Sequence, residues 1–477
     1  MPVAVLLPLL GGCAVLLLRR NANVRDAASL VSGVATAAVV LALWPVVDDG
    51  VSFELWTWLP GLSLGFSLEP LGLLFATIAA VLWPVTTLYA IGYMRGTRAA
   101  HQTRFYFYFA LAIGAALWIA LSGNLITLFI GYEVLTLATW PLVTHQGGVA
   151  GRLGGRTYLV VLLATSIGLL LPAIVWTWIL TGSTEFRAGG LLAGEAGPTV
   201  MTVLFALYLF GIGKAALMPF HRWLPAAMVA PTPVSALLHA VAVVKAGVFA
   251  ILKVSLYVFG LDTLSADDIA TPMMWVAAVT LLAAAVVAIR SDDLKRRLAY
   301  STVSQLAYIV LAATLASPIA AEGGALHMVA HAAGKITLFF CAGAIYVASG
   351  KTRVSELDGM GRHMPWTFGA FMVATLSIVG LPPVVGMWSK LLLLQGTLDA
   401  DQLLMTAVLL VGSVLALAYL MPIPVRAFFC PARAQAASGE APRTMVLPLT
   451  MTALACVALF IGAEAVIEPF ARTLELP

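Results

Sequence analysis

Charged residues are scarce in this 477-residue chain. Asp, Glu, Lys and Arg make up 10% of it and apolar residues 61%, whereas soluble domains hold about 25% charged and roughly 45–50% apolar residues. No hydrophilic stretch is long enough to fold as a separate soluble domain. Apolar segments of about 20 residues recur along the whole chain, and we count about fourteen. Because only helices satisfy the backbone at that density, the sequence predicts an all-α polytopic membrane protein with about 14 transmembrane helices.

Cysteine is also scarce, and several familiar motifs are missing. The four cysteines form no C-x-x-C pair, which argues against an iron–sulfur or zinc site within this chain. There is no P-loop and no G-x-G-x-x-G before a helix, so nucleotide sites are not indicated either. We therefore predict no cofactor and no bound metal. The net charge of +4 reflects loop arginines and is not a nucleic-acid footprint.

Lysine is distributed differently from arginine. Five of the seven lysines fall inside long apolar stretches, whereas all nineteen arginines lie outside such stretches or at their ends. An arginine stays charged in proteins, while a desolvated lysine can give up and regain a proton. Ionisable groups in a bilayer are costly and are functional candidates by default, so this distribution indicates proton chemistry. The five lysines are Lys214, Lys245, Lys253, Lys335 and Lys390.

Basic residues concentrate in alternate loops. The loops at 19–25, 95–104 and 290–297 are basic, whereas intervening loops such as 48–54 and 262–268 are acidic. The positive-inside rule then places both termini on the non-cytoplasmic side, which requires an even number of spans. The N-terminal apolar run has two arginines after it and no basic residue before it, so we interpret it as a retained span. We expect a multi-pass protein of a bacterial or archaeal-type cytoplasmic (inner) membrane.

The predicted spans fall into two matching groups. Helices 1–3 are assigned to residues 1–100, helices 4–8 to 101–262, helices 9–13 to 263–430 and helix 14 to 431–477. Because five is odd, two copies of a five-helix unit must have opposite orientations, as in inverted-repeat transporters. The fourth span of each group is interrupted by proline, at Pro219 and at Pro382-Pro383. We therefore predict two inverted five-helix repeats, each containing a broken helix.

Glu133 lies in an otherwise uncharged apolar span. An unpaired carboxylate would be costly there, and Lys214 is the best candidate partner because Pro219 interrupts its helix. At about 4 Å and an effective dielectric constant near 20, such a pair gains roughly 4 kcal/mol. Two interpretations stay open: a switch whose separation releases the lysine proton, or a static ion pair that locks two helices.

Three segments carry a family resemblance. They are GKAALMPFHRWLPAAMVAPTPVSALLHAVAVVKAG at 213–247, DDLKRRLAYSTVSQLAY at 292–308 and HMVAHAAGKITLFF at 327–340. The first closely resembles the core motif of the antiporter-like subunits shared by respiratory complex I, Mrp-type sodium/proton antiporters and membrane-bound hydrogenases. The resemblance covers nearly all of the chain.

The resemblance implies roles for single residues. Glu133 and Lys214 resemble the family's paired acid and lysine. Lys245 resembles its central lysine, with His239 six residues earlier toward the cytoplasmic end. Lys390 occupies the place of the exit residue on the second broken helix. Together they would form a hydrated line for protons across the middle of the membrane.

Three further residues share one helical face. His327, His331 and Lys335 are spaced i, i+4 and i+8, so they extend over about 12 Å of a helix. That spacing suits proton relay through water, and the resemblance implies that they connect the central lysine to the exit lysine. The alternative is that the histidines only bond backbone groups across helices. Lys253 has no place in the family's relay, and we expect it to snorkel to the membrane interface.

Three functions remain candidates. The leading one is a proton-translocating integral membrane subunit of a multi-subunit complex, most like the D-type subunit of an Mrp-type monovalent cation/proton antiporter. The second is a proton-pumping membrane-arm subunit of a redox complex, either a complex I-like NADH:quinone oxidoreductase or a membrane-bound hydrogenase; only there would the chain be part of an enzyme. The third, a passive scaffold, is disfavoured because it needs no buried ionisable groups.

The expected partners follow from the same reasoning. They are other membrane subunits, both antiporter-like and small, together with the lipid bilayer and protons. Whether Na+ also passes through this chain stays open. No nucleic acid is expected.

Overall fold

The chain adopts a polytopic helical membrane fold that is 79% helical. The computed structural model describes residues 1–431 and 439–475, except the side chains of His239 and Glu475. Within those residues, nine helices are long and apolar enough to cross a membrane. The number becomes ten if the bent pair Val243–Phe259 and Leu261–Asp268 counts as one span. The prediction of a polytopic helical membrane protein is thus confirmed, while about fourteen spans and the two inverted repeats stay predictions.

The part of the chain through residue 211 contains eight α-helices. They are α1 (Pro2–Leu17), α2 (Ala22–Leu41), α3 (Pro70–Gly96), α4 (Gln102–Ala120), α5 (Leu125–Val143), α6 (Gly148–Thr165), α7 (Leu171–Thr181) and α8 (Pro198–Gly211). A π-helical turn at Ser166–Leu170 joins α6 to α7.

A β-hairpin between α2 and α3 departs from the all-α prediction. Its strands, β1 (Ser52–Leu59) and β2 (Leu62–Ser67), pair antiparallel. The turn between them is Pro60-Gly61, where Gly61 has a φ of +76° that glycine adopts without strain. β1 is exposed along its whole length, whereas β2 is mostly buried or half-buried.

Thirteen further α-helices follow in the described residues after 211. They are α9 (Trp223–Ala226), α10 (Thr232–Ala236), α11 (Val243–Val254), α12 (Leu261–Ser265), α13 (Thr271–Arg290), α14 (Leu294–Thr314), α15 (Pro318–Ser349), α16 (Pro365–Val379), α17 (Gly386–Asp399), α18 (Leu403–Leu420), α19 (Pro422–Phe429), α20 (Arg443–Ile461) and α21 (Ala463–Glu475). A π-helical segment, Leu237–Val241, joins α10 to α11.

The 32-residue helix α15 lies at the centre of the fold. Ser317 caps its N-terminus by accepting a hydrogen bond from the backbone N–H of Ala320, and Pro318 occupies the first turn. The helix ends at Gly350, which has a φ of +71°. α15 packs against α11, α14, α16 and α17, among other helices. Its many alanines and glycines allow this close packing, since small side chains let helix backbones approach.

Two helices are interrupted by segments that contain the prolines singled out by the sequence. α8 ends at Gly211, before Lys214, and the backbone then turns through Ala216, whose φ is +56°. α16 ends at Val379, just before Gly380 with its φ of +93°, and α17 begins at Gly386 after Pro382-Pro383. Proline lacks the N–H that a continuing helix needs and clashes with the preceding turn. The breaks therefore leave backbone carbonyls free to bind side chains.

Candidate functional site

All five lysines that the sequence places in apolar stretches have buried side chains. Lys214, Lys245, Lys253 and Lys335 are 0% exposed and Lys390 is 6% exposed. Lys214 lies in the first helix break, and Lys390 lies near the start of α17, which follows the second break. Lys245 and Lys253 are on α11, and Lys335 is on α15. The fold therefore supplies each ammonium group with partners from neighbouring helices.

The ammonium group of Lys214 is bound to α5. Its Nζ donates hydrogen bonds to the backbone oxygen of Tyr132 at 2.8 Å and to Oγ1 of Thr136 at 2.6 Å. It also lies 3.1 Å from the centroid of the Tyr132 ring, a favourable cation–π contact. The hydroxyl of Tyr132 in turn accepts a hydrogen bond from the backbone N–H of Lys214 at 2.9 Å. Lys214 is thus fixed to one face of α5 at both its backbone and its side-chain end.

Glu133 is next to this contact but does not form the direct ion pair that the sequence predicts. Within the described residues, no salt bridge joins it to Lys214, and its Oε1 atom is buried without a hydrogen-bond partner. Residues 132 and 136 share a face of α5, whereas residue 133 is turned about 100° away from it. The expectation of a direct pair is therefore wrong for this conformation. The two charges are still close enough to interact electrostatically.

Lys245 and His331 connect α11 to the central helix. Lys245 Nζ lies 2.7 Å from His331 Nδ1, within hydrogen-bond distance. One turn earlier on α15, the ring of His327 lies 6.2 Å from that of His331, centroid to centroid. His327 Nδ1 lies 3.0 Å from Oγ of Ser389. Both histidines therefore contact side chains of other helices, so the alternative in which they bond only backbone groups is wrong.

Lys390 follows Ser389 directly and uses a carbonyl exposed by the second break. Its Nζ donates hydrogen bonds to the backbone oxygen of Val379 and to Oγ of Ser413, both at 3.0 Å. Val379 is the last residue of α16, so the cation lies at the negative end of that helix dipole. The ammonium also lies 4.7 Å from the centroid of the Tyr308 ring. Lys245, His331, His327, Ser389 and Lys390 thus form a line of buried polar groups.

Comparisons with known proteins show the family to which this fold belongs. Residues 122–416 match the family described as "NADH:quinone oxidoreductase/Mrp antiporter, TM". The chain is also 30% identical over 460 residues to the N subunit of NADH-quinone oxidoreductase from Desulforudis audaxviator, covering 92% of this chain and 90% of that protein. The chain belongs to the NADH:quinone oxidoreductase/Mrp antiporter family.

Another relative is longer than the present chain. The chain is 33% identical over 457 residues to the A/B subunit of a probable K(+)/H(+) antiporter of Rhizobium meliloti, and the match covers 91% of this chain but 44% of that protein. Two solved structures share the fold. The Mrp complex from Dietzia sp. matches 99% of this chain and 97% of its own, with a TM-score of 0.86 at 23% identity. The second is the membrane-bound sulfane sulfur reductase, an archaeal respiratory membrane complex. The match covers 98% of this chain and 77% of the chain in that complex, with a TM-score of 0.87 at 24% identity.

Lys335 lies on the same helix as the two histidines of this antiporter-family chain but contacts a different neighbour. Its Nζ donates hydrogen bonds to Oγ of Ser301 at 2.5 Å and to the backbone oxygen of Leu298 at 3.3 Å. It is thus bound to α14, one turn beyond His331. The side chain of His239 lies outside the described part of the structure, so its role as a relay stays a prediction.

Lys253 does not snorkel. Its Nζ forms an ion pair with Glu69 Oε1 at 2.6 Å and donates a hydrogen bond to the backbone oxygen of Ser122 at 2.6 Å. The prediction is wrong because the fold supplies a carboxylate at this depth, so the ammonium need not reach the interface. Sequence reasoning missed Glu69, although an acidic residue immediately before Pro70 and a long apolar run was a usable signal.

Several hydroxyl groups of the site were also missed. Thr136, Ser301, Ser389 and Ser413 each contact a buried lysine or histidine. Serine and threonine are common in transmembrane helices, where they bond to their own helix backbone. The sequence therefore gave no signal that separated these four from the others.

Replacing Ser389 with alanine should slow ion transport. The change removes the hydroxyl that lies 3.0 Å from His327 Nδ1 while leaving Lys390 in place. A hydrogen bond of about 1 kcal/mol corresponds to a roughly fivefold slower rate, measurable as dye-reported proton uptake in inverted membrane vesicles. Ser349→Ala is the matched control, because Ser349, at the end of α15, donates to the backbone oxygen of Ile345 and accepts from the backbone N–H of Lys351, and neither partner is in the line of buried polar groups. Equal rates for the two variants would remove Ser389 from the relay.

Proposed function

We propose that this chain is a proton-translocating, antiporter-like integral membrane subunit of a multi-subunit complex. The observation that carries the proposal is the 2.7 Å contact between Lys245 and His331. It joins the lysine of α11 to the central helix, from which His327 and Ser389 continue to Lys390. A histidine can both donate and accept a proton near neutral pH. Protons then pass along Lys214, Lys245 and Lys390, with His327, His331, His239 and Lys335 as relays.

Glu133 has a distinct part in this mechanism. Lys214 is held by a carbonyl and a hydroxyl of α5 in this conformation, with the carboxylate of Glu133 nearby and unbonded at Oε1. Moving Lys214 toward Glu133 would exchange neutral partners for a charged one. We infer that the lysine alternates between these two positions. The switch that the sequence suggested is then kept, with a different resting partner.

The span count and topology belong to the same proposal. Adding α1, α14 and the two broken helices, α8–α9 and α16–α17, to the ten candidate spans gives fourteen. In the numbering of the predicted membrane spans, spans 4–8 and spans 9–13 would form two inverted five-helix repeats. Each repeat would contain one broken helix. An even number of spans places both termini on the same side, and the basic loops place that side outside the cytoplasm of a bacterial or archaeal-type membrane.

Energy must come from partner subunits. Moving one charge against 100 mV costs about 2.3 kcal/mol, and the chemistry described in this chain is proton transfer alone. The main proposal is a complex driven by an ion gradient, which the relative from the probable K(+)/H(+) antiporter suggests. Its other subunits would be antiporter-like and small membrane subunits. Assignment to the D-type subunit in particular, and passage of Na+ through this chain, stay predictions.

A redox complex is the second candidate. Its support is the 90% coverage of the quinone oxidoreductase relative and the match to an archaeal respiratory membrane complex. The two candidates differ in what co-purifies with the chain from its native membrane in mild detergent. Only membrane subunits would support the antiporter. Iron–sulfur, flavin or nickel–iron proteins would support the redox complex.

Substitutions at Lys214 and Glu133 test the translocation proposal. Lys214→Ala should lower transport by the assembled complex at least tenfold, and Glu133→Gln should lower it several-fold, since each tenfold change corresponds to about 1.4 kcal/mol. Proton uptake into proteoliposomes that hold the purified complex is the measurement. Immunoblots of the co-purified chains control for assembly. If both variants transport at the wild-type rate, the Lys214–Glu133 switch is wrong.

A further inference from the structure

The ion pair of Lys253 and Glu69 has no part in the proton line described above. Lys253 is 0% exposed, while the side chain of Glu69 is 15% exposed. Glu69 is the residue that precedes α3, and Lys253 lies in the last turn of α11. The pair therefore joins the start of one long helix to the end of another, close to the surface that carries the β-hairpin.

The Lys253 ammonium is contacted on three sides. An ammonium group has three N–H donors. One side faces the Glu69 carboxylate and another the Ser122 carbonyl, both at 2.6 Å. The ring of Phe186, whose centroid lies 4.3 Å away, covers the group from a third direction. A lysine that is 0% exposed and enclosed in this way by a carboxylate, a carbonyl and an aromatic ring is shielded from water, which a proton carrier would need.

Four chain segments meet above this pair, and we call them the hairpin cap. They are β2, the α4–α5 junction at 121–125, the loop at 183–192 and the segment at 255–260 that follows α11. The backbone N–H of Ser67 donates to Leu121 O at 3.0 Å, and that of Leu125 donates to Thr184 O at 2.9 Å. The N–H of Leu192 donates to Val258 O at 2.8 Å. The cap is thus one continuous hydrogen-bonded layer.

The stretch of α11 between Lys245 and this surface is apolar. The residues between the two lysines on α11 are AGVFAIL at 246–252, and all seven are buried. Eight residues of helix place Lys253 about 12 Å beyond Lys245. Along α11, any water that passed the ion pair would be the first polar link between Lys245 and that face. The Lys253–Glu69 ion pair therefore decides whether water from the hairpin face can reach Lys245.

We propose that the Lys253–Glu69 pair, beneath the hairpin cap, is a seal. It keeps water from reaching Lys245 from the hairpin face, so that a proton on Lys245 leaves along α15 toward Lys390. This inference rests on the proposed function, because a seal matters only if Lys245 carries protons. The pair acts as a closing element and passes no proton itself.

Passive proton leak tests the seal. The assembled complex, purified through a tag on this chain, is placed in proteoliposomes with an internal pH dye, and a pH gradient is imposed without any driving reaction. Lys253→Ala and Glu69→Gln should each leak at least about fivefold faster than wild type. Lys253→Arg should leak at the wild-type rate, because arginine stays charged and can still pair with Glu69. Glu69→Gln is nearly isosteric, so it decides the question if the alanine variant does not accumulate.

Two results would overturn the proposal. One is a wild-type leak in Glu69→Gln and Lys253→Ala. The other is a leak that persists unchanged when Lys245→Ala is added, since water would then be using another route. Loss of coupled transport in Lys253→Arg without any leak would instead make Lys253 a proton carrier and also contradict the seal. Failure of the proposed function is separate, because it appears as coupled transport that survives Lys214→Ala.

Discussion

Replacing Lys245 with alanine should abolish proton transport by the assembled complex. Lys245 provides the 2.7 Å contact between α11 and His331. No other side chain of α11 between residues 243 and 252 is titratable. Without the ammonium group of Lys245, this stretch of α11 would therefore present only apolar side chains to His331, and no group on the stretch could pass the histidine a proton. The rate should fall at least about 100-fold, corresponding to roughly 2.7 kcal/mol. Dye-reported proton uptake in proteoliposomes is the measurement.

Lys245→Arg separates charge from proton transfer at the same position. Arginine keeps the positive charge but cannot be deprotonated in proteins, so this variant should also lose transport. Lys351→Met is the matched control, because Lys351 is a half-buried loop residue just beyond α15 and outside the proton line. Wild-type transport in Lys245→Arg would mean that the residue acts through its charge alone and that protons take another route.

The membrane class and the identity of the buried lysines were readable from the sequence. Membrane spans are recognisable by their composition, and lysine in an apolar run must be buried or carried to the interface. The helix breaks were also predictable, since Pro219 and Pro382-Pro383 remove N–H donors where the helices would otherwise continue. These features depend on local sequence, which is why they could be found without an alignment.

The partners of the lysines could not be predicted in the same way. Lys253 pairs with Glu69, which is far away in sequence, and such pairing depends on how distant helices pack. Lys214 was expected at Glu133 but is bound to the Tyr132 carbonyl. A backbone carbonyl is present at every position, so no sequence pattern identifies the one that accepts a side-chain hydrogen bond.

The β-hairpin was missed for a different reason. Its Pro60-Gly61 turn, between runs rich in aromatic and aliphatic residues, is a recognised hairpin signal. The all-α prediction rests on the rule that only helices and closed barrels can cross a bilayer. The hairpin, however, connects two spans and does not itself cross the bilayer. Outside the hydrocarbon core that restriction does not hold, and β1 is exposed along its length.

Adding a methyl group at Gly247 should destabilise the first half of the proton line. Gly247 lies two residues after Lys245, where α11 crosses the first helix break. A Cβ atom there would lie 2.3 Å from the backbone nitrogen of Ala215 and 2.4 Å from the carbonyl carbon of Lys214. Because those are backbone atoms, no side-chain rotation can relieve the clash, and α11 must move away from the break. Overpacking of this kind costs about 1–3 kcal/mol or more.

Gly247→Ala is therefore expected to melt at a lower temperature in detergent and to transport more slowly, since Lys214 and Lys245 would be moved apart. Gly369→Ala is the matched control: Gly369 lies within α16, and a Cβ atom there would meet nothing within 4 Å. The control should keep the wild-type melting temperature and rate. If Gly247→Ala matched the control in both measurements, α11 could separate from the break without cost. The close approach of the two lysine-bearing segments would then not be required for transport, and the first step of the proposed proton line would need another route.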